Sequence, residues 1–121
     1  MQKRILVVDD EEGVANLLKI ALESQGHSVD IARDGEEGLT KAKTGIYNLI
    51  LLDLGLPKRD GQSVCLELKL DEKLKETPII ILTGRDVEKE KQIGASIGAN
   101  DYIPKPFDIH ELLSTVNKFV A

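Results

Sequence analysis

Five side chains that are able to do metal or phosphate chemistry follow directly on apolar runs of the sequence. Asp9 and Asp10 come after the first apolar run, and Asp53 ends the third. The fourth run leads into Thr83, and the fifth runs into Lys105. Carboxylates bind hard cations and can act as nucleophiles, while hydroxyl and ammonium groups can contact phosphoryl oxygens. The set predicts metal-assisted phosphoryl chemistry, provided that the fold brings these side chains together.

Three carboxylates held close together repel one another. At about 4 Å and an effective dielectric constant near 20, each like-charge pair costs on the order of 4 kcal/mol. Either one carboxyl group takes up a proton or a cation lies among them, and Mg²⁺ suits this choice of oxygen ligands. Gly55 has no side chain, so it can present its backbone carbonyl to such an ion without crowding. A single acid after a strand is more often a helix cap, and Gly55 close to Pro57 also fits a plain turn.

The pattern of apolar residues predicts the elements that carry these side chains. The predicted strands are Ile5–Val8, Ser28–Ala32, Leu49–Leu52, Ile79–Leu82 and Asp101–Ile103. Apolar residues at helical spacing predict a helix after each strand, marked in turn by Leu18 and Leu22, Leu39 and Ala42, Val64 and Leu68, Ile93 and Ile97, and Leu112 and Val116. Strand and helix repeated five times predict an α/β fold with a parallel sheet covered on both faces. In such a sheet the carboxyl ends of the strands share one edge, where ligands bind.

Length and composition limit the class of protein. The 121 residues are expected to form one domain over 1–121, with no output domain, and 41% apolar with 31% charged residues is typical of a soluble globular protein. A formal net charge of −5 disfavours direct contact with nucleic acid. No apolar stretch approaches the roughly 20 residues needed to cross a bilayer, so no membrane is expected. The single cysteine, Cys65, excludes an internal disulfide, and a cytoplasmic location is the default expectation.

Other functions that this fold class supports fit the residues less well. A flavin mononucleotide carrier needs a phosphate cradle after the first strand, where four consecutive acids, residues 9–12, would repel a phosphate in the absence of a metal. A dinucleotide enzyme needs Gly-x-Gly-x-x-Gly there, and that motif is missing. A phosphatase with an aspartate nucleophile would usually carry a second acid two residues on, where Gly55 stands. The remaining rival is a binding module that has kept the fold without the chemistry.

Four segments together resemble the receiver domains of response regulators in two-component signal transduction. They are Asp9-Asp10 after a strand, DLGLPKRDG at 53–61, LTG at 82–84 and GANDYIPKPF at 98–107. The resemblance runs from Ile5 into the last helix. It implies a flavodoxin-like three-layer αβα fold, (βα)5, with a five-stranded parallel sheet in the strand order 2-1-3-4-5.

The resemblance also implies roles for the acidic residues. Asp53 matches the phosphoacceptor, charged by the phosphohistidine of a sensor histidine kinase or of a histidine phosphotransfer protein. Asp10 matches a direct ligand of Mg²⁺, for which Mn²⁺ can substitute, and Asp9 matches a residue that acts through water. Asp53 itself and the Gly55 carbonyl complete the implied metal site. The domain would then catalyse its own phosphoryl transfer and autodephosphorylation without being a conventional enzyme.

The remaining implied residues belong to a switch. Thr83 and Lys105 match the pair that senses the phosphoryl group, and Tyr102 matches the aromatic residue that moves inward with the threonine. The bond between Lys105 and Pro106 is the candidate for a cis peptide. The implied output is a changed surface on the fourth helix, fifth strand and fifth helix that controls an unknown protein partner, in a monomer or a weak phosphorylation-dependent dimer. Many relatives carry alanine at the position of Gly84, and Gly55 leaves the lifetime of the phosphorylated state open.

Overall fold

Five parallel strands form a single sheet in a computed structural model that describes residues 3–56, 61–84 and 98–120. The strands are β1 (Arg4–Val8), β2 (Ser28–Ala32), β3 (Leu49–Asp53), β4 (Ile79–Thr83) and β5 (Asp101–Pro104). Their order across the sheet is β2-β1-β3-β4-β5, and every neighbouring pair is parallel. The predicted sheet and its strand order are confirmed.

Helices pack on both faces of the sheet. They are α1 (Glu12–Ser24), α2 (Gly35–Thr44), α3 (Gly61–Leu70) and a C-terminal helix (Ile109–Val120). The predicted fourth helix, around Ile93 and Ile97, lies outside the described residues, as does Pro57. Among the described residues, no helix combines the length and the apolar character that crossing a membrane requires.

Alternate residues of the strands belong to two separate hydrophobic cores, one on each face of the sheet, as expected when helices cover both faces. One core lies between the sheet and α2 and α3, and its largest members include Leu6, Ile50, Leu52, Leu68 and Ile81. The other lies between the sheet and α1 and the C-terminal helix, and includes Leu18, Leu22, Leu51, Ile80 and Leu112. Every residue of β3 and β4 is buried. The edge strand β2 is only partly buried, which explains why its sequence alternates.

Local signals in the sequence fix where helices begin and end. The Asp34 side chain accepts a hydrogen bond from Glu37 N–H at the start of α2, and Asp108 accepts one from His110 N–H at the start of the C-terminal helix. At the end of α1, Gly26 adopts a φ of 91°. The N–H groups of Gly26 and His27 then donate back to the last turn of α1, which is a Schellman-type ending.

The central strands run one residue beyond their predicted ends, and that residue is polar in both. Asp53 is the last residue of β3 and pairs in register with Leu82. Thr83 is the last residue of β4 and pairs with Pro104. Their backbones are therefore held by the sheet, while their side chains lie at its carboxyl edge.

The start of α3 packs closely against the end of β3. A Cβ atom on Gly61 would collide with the carbonyl oxygen of Asp53 and would lie 2.6 Å from Leu54 Cα. Only a residue without a side chain allows this approach. Gly61 therefore helps to fix the backbone of Asp53.

Candidate functional site

The three predicted carboxylates meet at the carboxyl edge of the sheet. Asp9, Asp10 and Asp53 each offer an oxygen atom, and these atoms all lie within 4.8 Å of one another. Asp9 is fully buried and Asp53 is 6% exposed, whereas Asp10 is exposed. The backbone N–H of Asp9 extends the β1–β2 ladder by donating to Ala32 C=O at 3.0 Å. Two of the three acids thus sit on strand ends, and the third faces the solvent.

Lys105 brings a positive charge to these acids. Its Nζ lies 2.9 Å from Asp9 Oδ2 and 3.6 Å from Asp53 Oδ1. The same ammonium lies 2.9 Å from Glu11 Oε1. The backbone N–H of Lys105 donates to Thr83 C=O at 2.7 Å, which holds the loop after β5 against the end of β4. The peptide bond between Lys105 and Pro106 is cis.

A cavity of about 250 Å³ opens in the middle of these side chains. Its lining includes Asp10, Asp53, Thr83 and Lys105, together with the backbone of Gly55 and Gly84. Its size and polar walls suit a phosphoryl group or a hydrated cation. All five side chains that sequence analysis singled out therefore lie in or beside one pocket.

The two glycines of the pocket contribute open space. Among the described residues, and apart from the chain neighbours of Gly55, no atom lies within 4 Å of the point where a Cβ on Gly55 would stand. Packing against these residues therefore does not require a glycine there. The N–H of Gly55 donates to Asp53 Oδ1 at 3.3 Å. A Cβ on Gly84 would lie 3.9 Å from Lys105 Cβ, which is an ordinary contact. Alanine would thus fit at position 84, in agreement with its occurrence in the family that the sequence resembles.

The environment of Asp53 disfavours its negative charge. Burial raises the pKa of its carboxyl group, and the nearby charge of Asp9 raises it further. Lys105 and the hydrogen bond from Gly55 N–H act in the opposite direction without cancelling the rise in the pKa. The negative charge on Asp53 thus lacks sufficient compensation from the protein alone.

Lys105 keeps its proton firmly. Burial acts to lower the pKa of its ammonium group, but the contacts with Asp9 and Glu11 and the charge of Asp53 outweigh it, so the pKa is raised. A permanent cation at this place can neutralise an incoming anion.

The donor set fits a hard divalent cation. It consists of three carboxylates that converge within 4.8 Å next to an open pocket, and the surroundings of one of them, Asp53, raise its pKa. Mg²⁺ prefers one or two carboxylates together with water, and the exposed Asp10 and the open space at Gly55 leave room for water. The residues present therefore suit Mg²⁺.

Tyr102 lies on β5 and is half-buried against the core beneath α2 and α3. Its backbone N–H donates to Asp101 Oδ1 at 2.8 Å. Tyr102 is paired in register with Ile81, two residues before Thr83 on the neighbouring strand. The ring is thus placed near the strand that ends at Thr83 without lining the pocket.

Sequence reasoning did not assign a role to Glu11. Its contact with Lys105 joins residues that are 94 positions apart. Nothing in the local run of acids distinguishes Glu11 from Glu12, whose carboxylate lies 4.0 Å from Arg33 instead. The partner of each acid became known only from the fold.

The family model for the response regulator receiver domain matches residues 5–117 of the chain. The chain belongs to this family. Receiver domains act in phosphorylation-based signalling by two-component systems, and this is the class of function of the chain. The four segments named above had predicted this family, and the prediction is confirmed.

Two curated relatives and one solved structure illustrate the membership. The chain is 48% identical over 116 residues to the alkaline phosphatase synthesis transcriptional regulatory protein PhoP of Bacillus subtilis, covering 96% of this chain and 48% of that protein. It is 46% identical over 113 residues to the transcriptional regulatory protein DltR of Streptococcus agalactiae, covering 93% of this chain and 50% of DltR. The receiver domain of the sensor histidine kinase PA1611 of Pseudomonas aeruginosa is 30% identical, with a TM-score of 0.90, covering 99% of this chain and 98% of that one. That structure has a magnesium ion coordinated in its active site cleft.

The chain spans about half the length of these curated relatives. Both are named as transcriptional regulatory proteins. The prediction that residues 1–121 do not contact nucleic acid themselves stays a prediction.

Proposed function

We propose that this receiver domain is a switch in which Asp53 accepts a phosphoryl group from the phosphohistidine of a sensor histidine kinase or of a histidine phosphotransfer protein, in the presence of Mg²⁺. The observation that carries the proposal is the setting of Asp53. Its carboxylate ends a central strand, belongs to a group of three acids within 4.8 Å, and lies 3.6 Å from a lysine ammonium, at the wall of an open pocket.

The transfer is a substitution at phosphorus. An oxygen of Asp53 attacks the phosphorus atom and forms the new P–O bond of an acyl phosphate. The bond between phosphorus and the imidazole nitrogen of the donor breaks, and that nitrogen keeps the bonding pair. That nitrogen takes up a proton from the solvent, unless the other ring nitrogen already carries one, and the histidine leaves as neutral imidazole. The strand fixes the backbone of Asp53, so that the attacking oxygen is positioned before the donor arrives.

Asp10, Asp53 and the Gly55 carbonyl would hold the metal ion, with Asp9 acting through water. When bound, Mg²⁺ neutralises the clustered carboxylates and stabilises negative charge on phosphoryl oxygens. Lys105, which lines the same pocket, supplies a second cation. Its raised pKa keeps the ammonium charged throughout the neutral range.

Thr83 and Tyr102 would convert the added charge into a change of shape. Thr83 lines the pocket, and in this proposal its hydroxyl group donates to a phosphoryl oxygen. Tyr102 packs near the strand that ends in Thr83, so a shift of Thr83 changes the space available to its ring. The output surface in this proposal includes β5 and the C-terminal helix, together with the predicted fourth helix, and it acts on a protein partner.

The relatives give this switch a context. PhoP and DltR are transcriptional regulatory proteins about twice as long as the region that they share with this chain. Either a separate protein partner or an adjoining regulatory domain would bind to this same output surface. The proposal for residues 1–121 is the phosphorylation step and the change of this surface.

The experiment is phosphorylation by a small donor without any kinase. Purified protein is incubated with phosphoramidate, with and without Mg²⁺, and its intact mass is followed with time. The wild type is expected to gain the mass of one phosphoryl group only when Mg²⁺ is present. Asp53→Asn is expected to gain none, while Asp34→Asn, which removes an acid from a helix cap away from the pocket, is expected to react like the wild type.

A binding module without chemistry gives a different result. In that case neither the wild type nor Asp34→Asn gains mass with Mg²⁺. A gain that persists in Asp53→Asn contradicts Asp53 as the acceptor.

A further inference from the structure

The side chain of Glu11 is directed to Lys105 and does not cap the helix that follows. Glu11 is the N-cap residue of α1, with an extended backbone, yet its side chain makes no capping hydrogen bond. Its Oε1 lies 2.9 Å from Lys105 Nζ. Glutamate is not among the residues preferred at the N-cap, and the contact that this side chain makes instead is with a residue 94 positions away.

The backbone of Glu11 is fixed on both sides. Its N–H donates to Asp9 Oδ1 at 2.9 Å, and its C=O accepts from Ala15 N–H at 2.9 Å in the first turn of α1. The position from which the carboxylate reaches Lys105 is therefore set by the pocket and by the helix. Glu11 also lines the groove beside the pocket, so its carboxylate stands at the rim.

Among the described residues, three carboxylates lie near the ammonium of Lys105. Asp9 and Glu11 are each at 2.9 Å, while Asp53 is farther away, at 3.6 Å. A phosphoryl group on Asp53 would compete with these two nearer partners for the ammonium. Any group that holds the ammonium at the rim therefore competes with the phosphoryl group.

A bound cation would relieve this competition only in part. The converging acids are Asp9, Asp10 and Asp53, and Glu11 is not one of them. Mg²⁺ would thus weaken the hold of Asp9 on Lys105 and leave that of Glu11 in place. Glu11 then becomes the main competitor for the ammonium at the moment when the phosphoryl group arrives.

We infer that Glu11 is a positioning residue that holds Lys105 at the pocket rim in the unphosphorylated state and thereby slows phosphorylation of Asp53. This inference rests on the proposed function and adds a residue that slows its phosphorylation step. The Glu11 side chain is 59% exposed, and exposed ion pairs are weak because water screens them. Its removal is therefore expected to accelerate phosphorylation about two- to fivefold.

The test compares Glu11→Gln with Glu12→Gln. Both variants remove one negative charge from the start of α1, but Glu12 lies near Arg33 and not near Lys105. Rates of mass gain with phosphoramidate and saturating Mg²⁺ are measured for the wild type and both variants. We expect Glu11→Gln to react about two- to fivefold faster than the wild type, with Glu12→Gln close to the wild type.

A second comparison separates the contact with Lys105 from simple repulsion of an anionic donor. Glu11→Gln is combined with Lys105→Ala. The slow labelling of Lys105→Ala alone and of the double variant is then followed over hours. Holding of Lys105 predicts that Glu11→Gln no longer accelerates labelling once the ammonium is absent. Repulsion predicts the same acceleration in both backgrounds, and that result would overturn the inference.

The outcomes also separate this inference from the proposed function. A wild type that takes up no phosphoryl group defeats the proposed function. A wild type that is labelled, with Glu11→Gln no faster than Glu12→Gln, defeats the inference alone. Slower labelling of Glu11→Gln also defeats it, because Glu11 would then prepare Lys105 for the reaction.

Discussion

The ammonium of Lys105 lies 2.9 Å from the carboxylate of Asp9. Asp9 is fully buried, and the two residues are far apart in the sequence. The two residues come from the ends of β1 and β5, which are not neighbours in the sheet. The contact therefore spans the carboxyl edge of the sheet above β3 and β4. It places a positive charge beside the two buried acids of this edge, Asp9 and Asp53.

Replacing Lys105 by methionine should destabilise the fold, because Asp9 would keep a buried charge without its partner. We expect a loss of on the order of 2 kcal/mol in the free energy of unfolding, measured by urea denaturation in metal-free buffer. Mg²⁺ should reduce the loss, because a second cation then compensates the acids. Lys75→Met is the control, since the ion pair of Lys75 with Glu72 is exposed and should contribute little. Equal losses in the two variants would contradict this account.

Replacing Asp53 by asparagine should stabilise the metal-free fold at neutral pH. Burial and Asp9 raise the pKa of Asp53 in the folded protein above its ordinary value of 3.8. The protonated carboxyl group therefore contributes stability to the fold that is fully present below pH 3.8. This stability is lost as the pH rises through the pKa that Asp53 has in the folded protein. Asparagine carries no charge and avoids this loss. The gain in melting temperature should shrink as the pH falls towards 4. A gain that is independent of pH would show that charge is not its cause.

Asp30 provides a control of opposite sign. A hydrogen bond from Tyr47 and the neighbouring Arg4 lower the pKa of Asp30, although burial opposes them. The charged carboxylate then stabilises the fold above its ordinary pKa, and this stability is lost as the pH falls through the folded pKa. Asp30→Asn should therefore lower the melting temperature at neutral pH, and the deficit should narrow in acid.

The close packing at Gly61 predicts a large difference between two glycine substitutions. Gly61→Ala forces a Cβ against the Asp53 carbonyl and Leu54 Cα, and overpacking of this kind costs about 1–3 kcal/mol. Gly55→Ala places its Cβ where none of the described residues, apart from its chain neighbours, has an atom within 4 Å. Urea denaturation should thus give a clear loss for Gly61→Ala and little change for Gly55→Ala. A similar loss for both would contradict the packing described at the end of β3.

Binding of Mg²⁺ should depend on Asp10. Isothermal titration of the wild type with MgCl₂ is expected to give a measurable affinity, and Asp10→Asn should weaken it at least about tenfold because a ligand is lost. Glu12→Gln changes the charge by the same amount outside the converging acids and should bind like the wild type within about twofold. Equal affinities in Asp10→Asn and the wild type would remove Asp10 from the metal site.

The strands and the meeting of the acids were predictable from the residue pattern, for simple reasons, whereas the order of the strands came from the resemblance to receiver domains. Continuous apolar runs such as those of β3 and β4 belong to strands that are buried on both faces, and the alternation in β2 marks an edge. Parallel strands place their carboxyl ends at one edge, so residues that follow the runs must converge. These inferences need only local patterns and one rule of topology.

Contacts between distant surface residues were not predictable in this way. Lys69 looks like a solvated residue of α3, yet its Nζ donates to Thr77 C=O at 2.8 Å and to Asn100 Oδ1 at 3.0 Å. Asn100 Oδ1 also accepts from Ile79 N–H at 2.9 Å, so this network joins the end of α3 to the start of β4. Burial lowers the pKa of Lys69. Like the pair of Glu11 and Lys105, the network depends on side-chain directions that periodicity does not encode.

The most direct measurement locates the phosphoryl group on the chain. After reaction with phosphoramidate and Mg²⁺, the protein is treated with borohydride, which reduces an acyl phosphate of aspartate to homoserine, and its peptides are mapped by mass spectrometry. The account predicts homoserine at position 53 and unmodified aspartate at positions 9 and 10. Conversion of Asp9 or Asp10 with Asp53 intact, or a labelled protein without any homoserine, would contradict it.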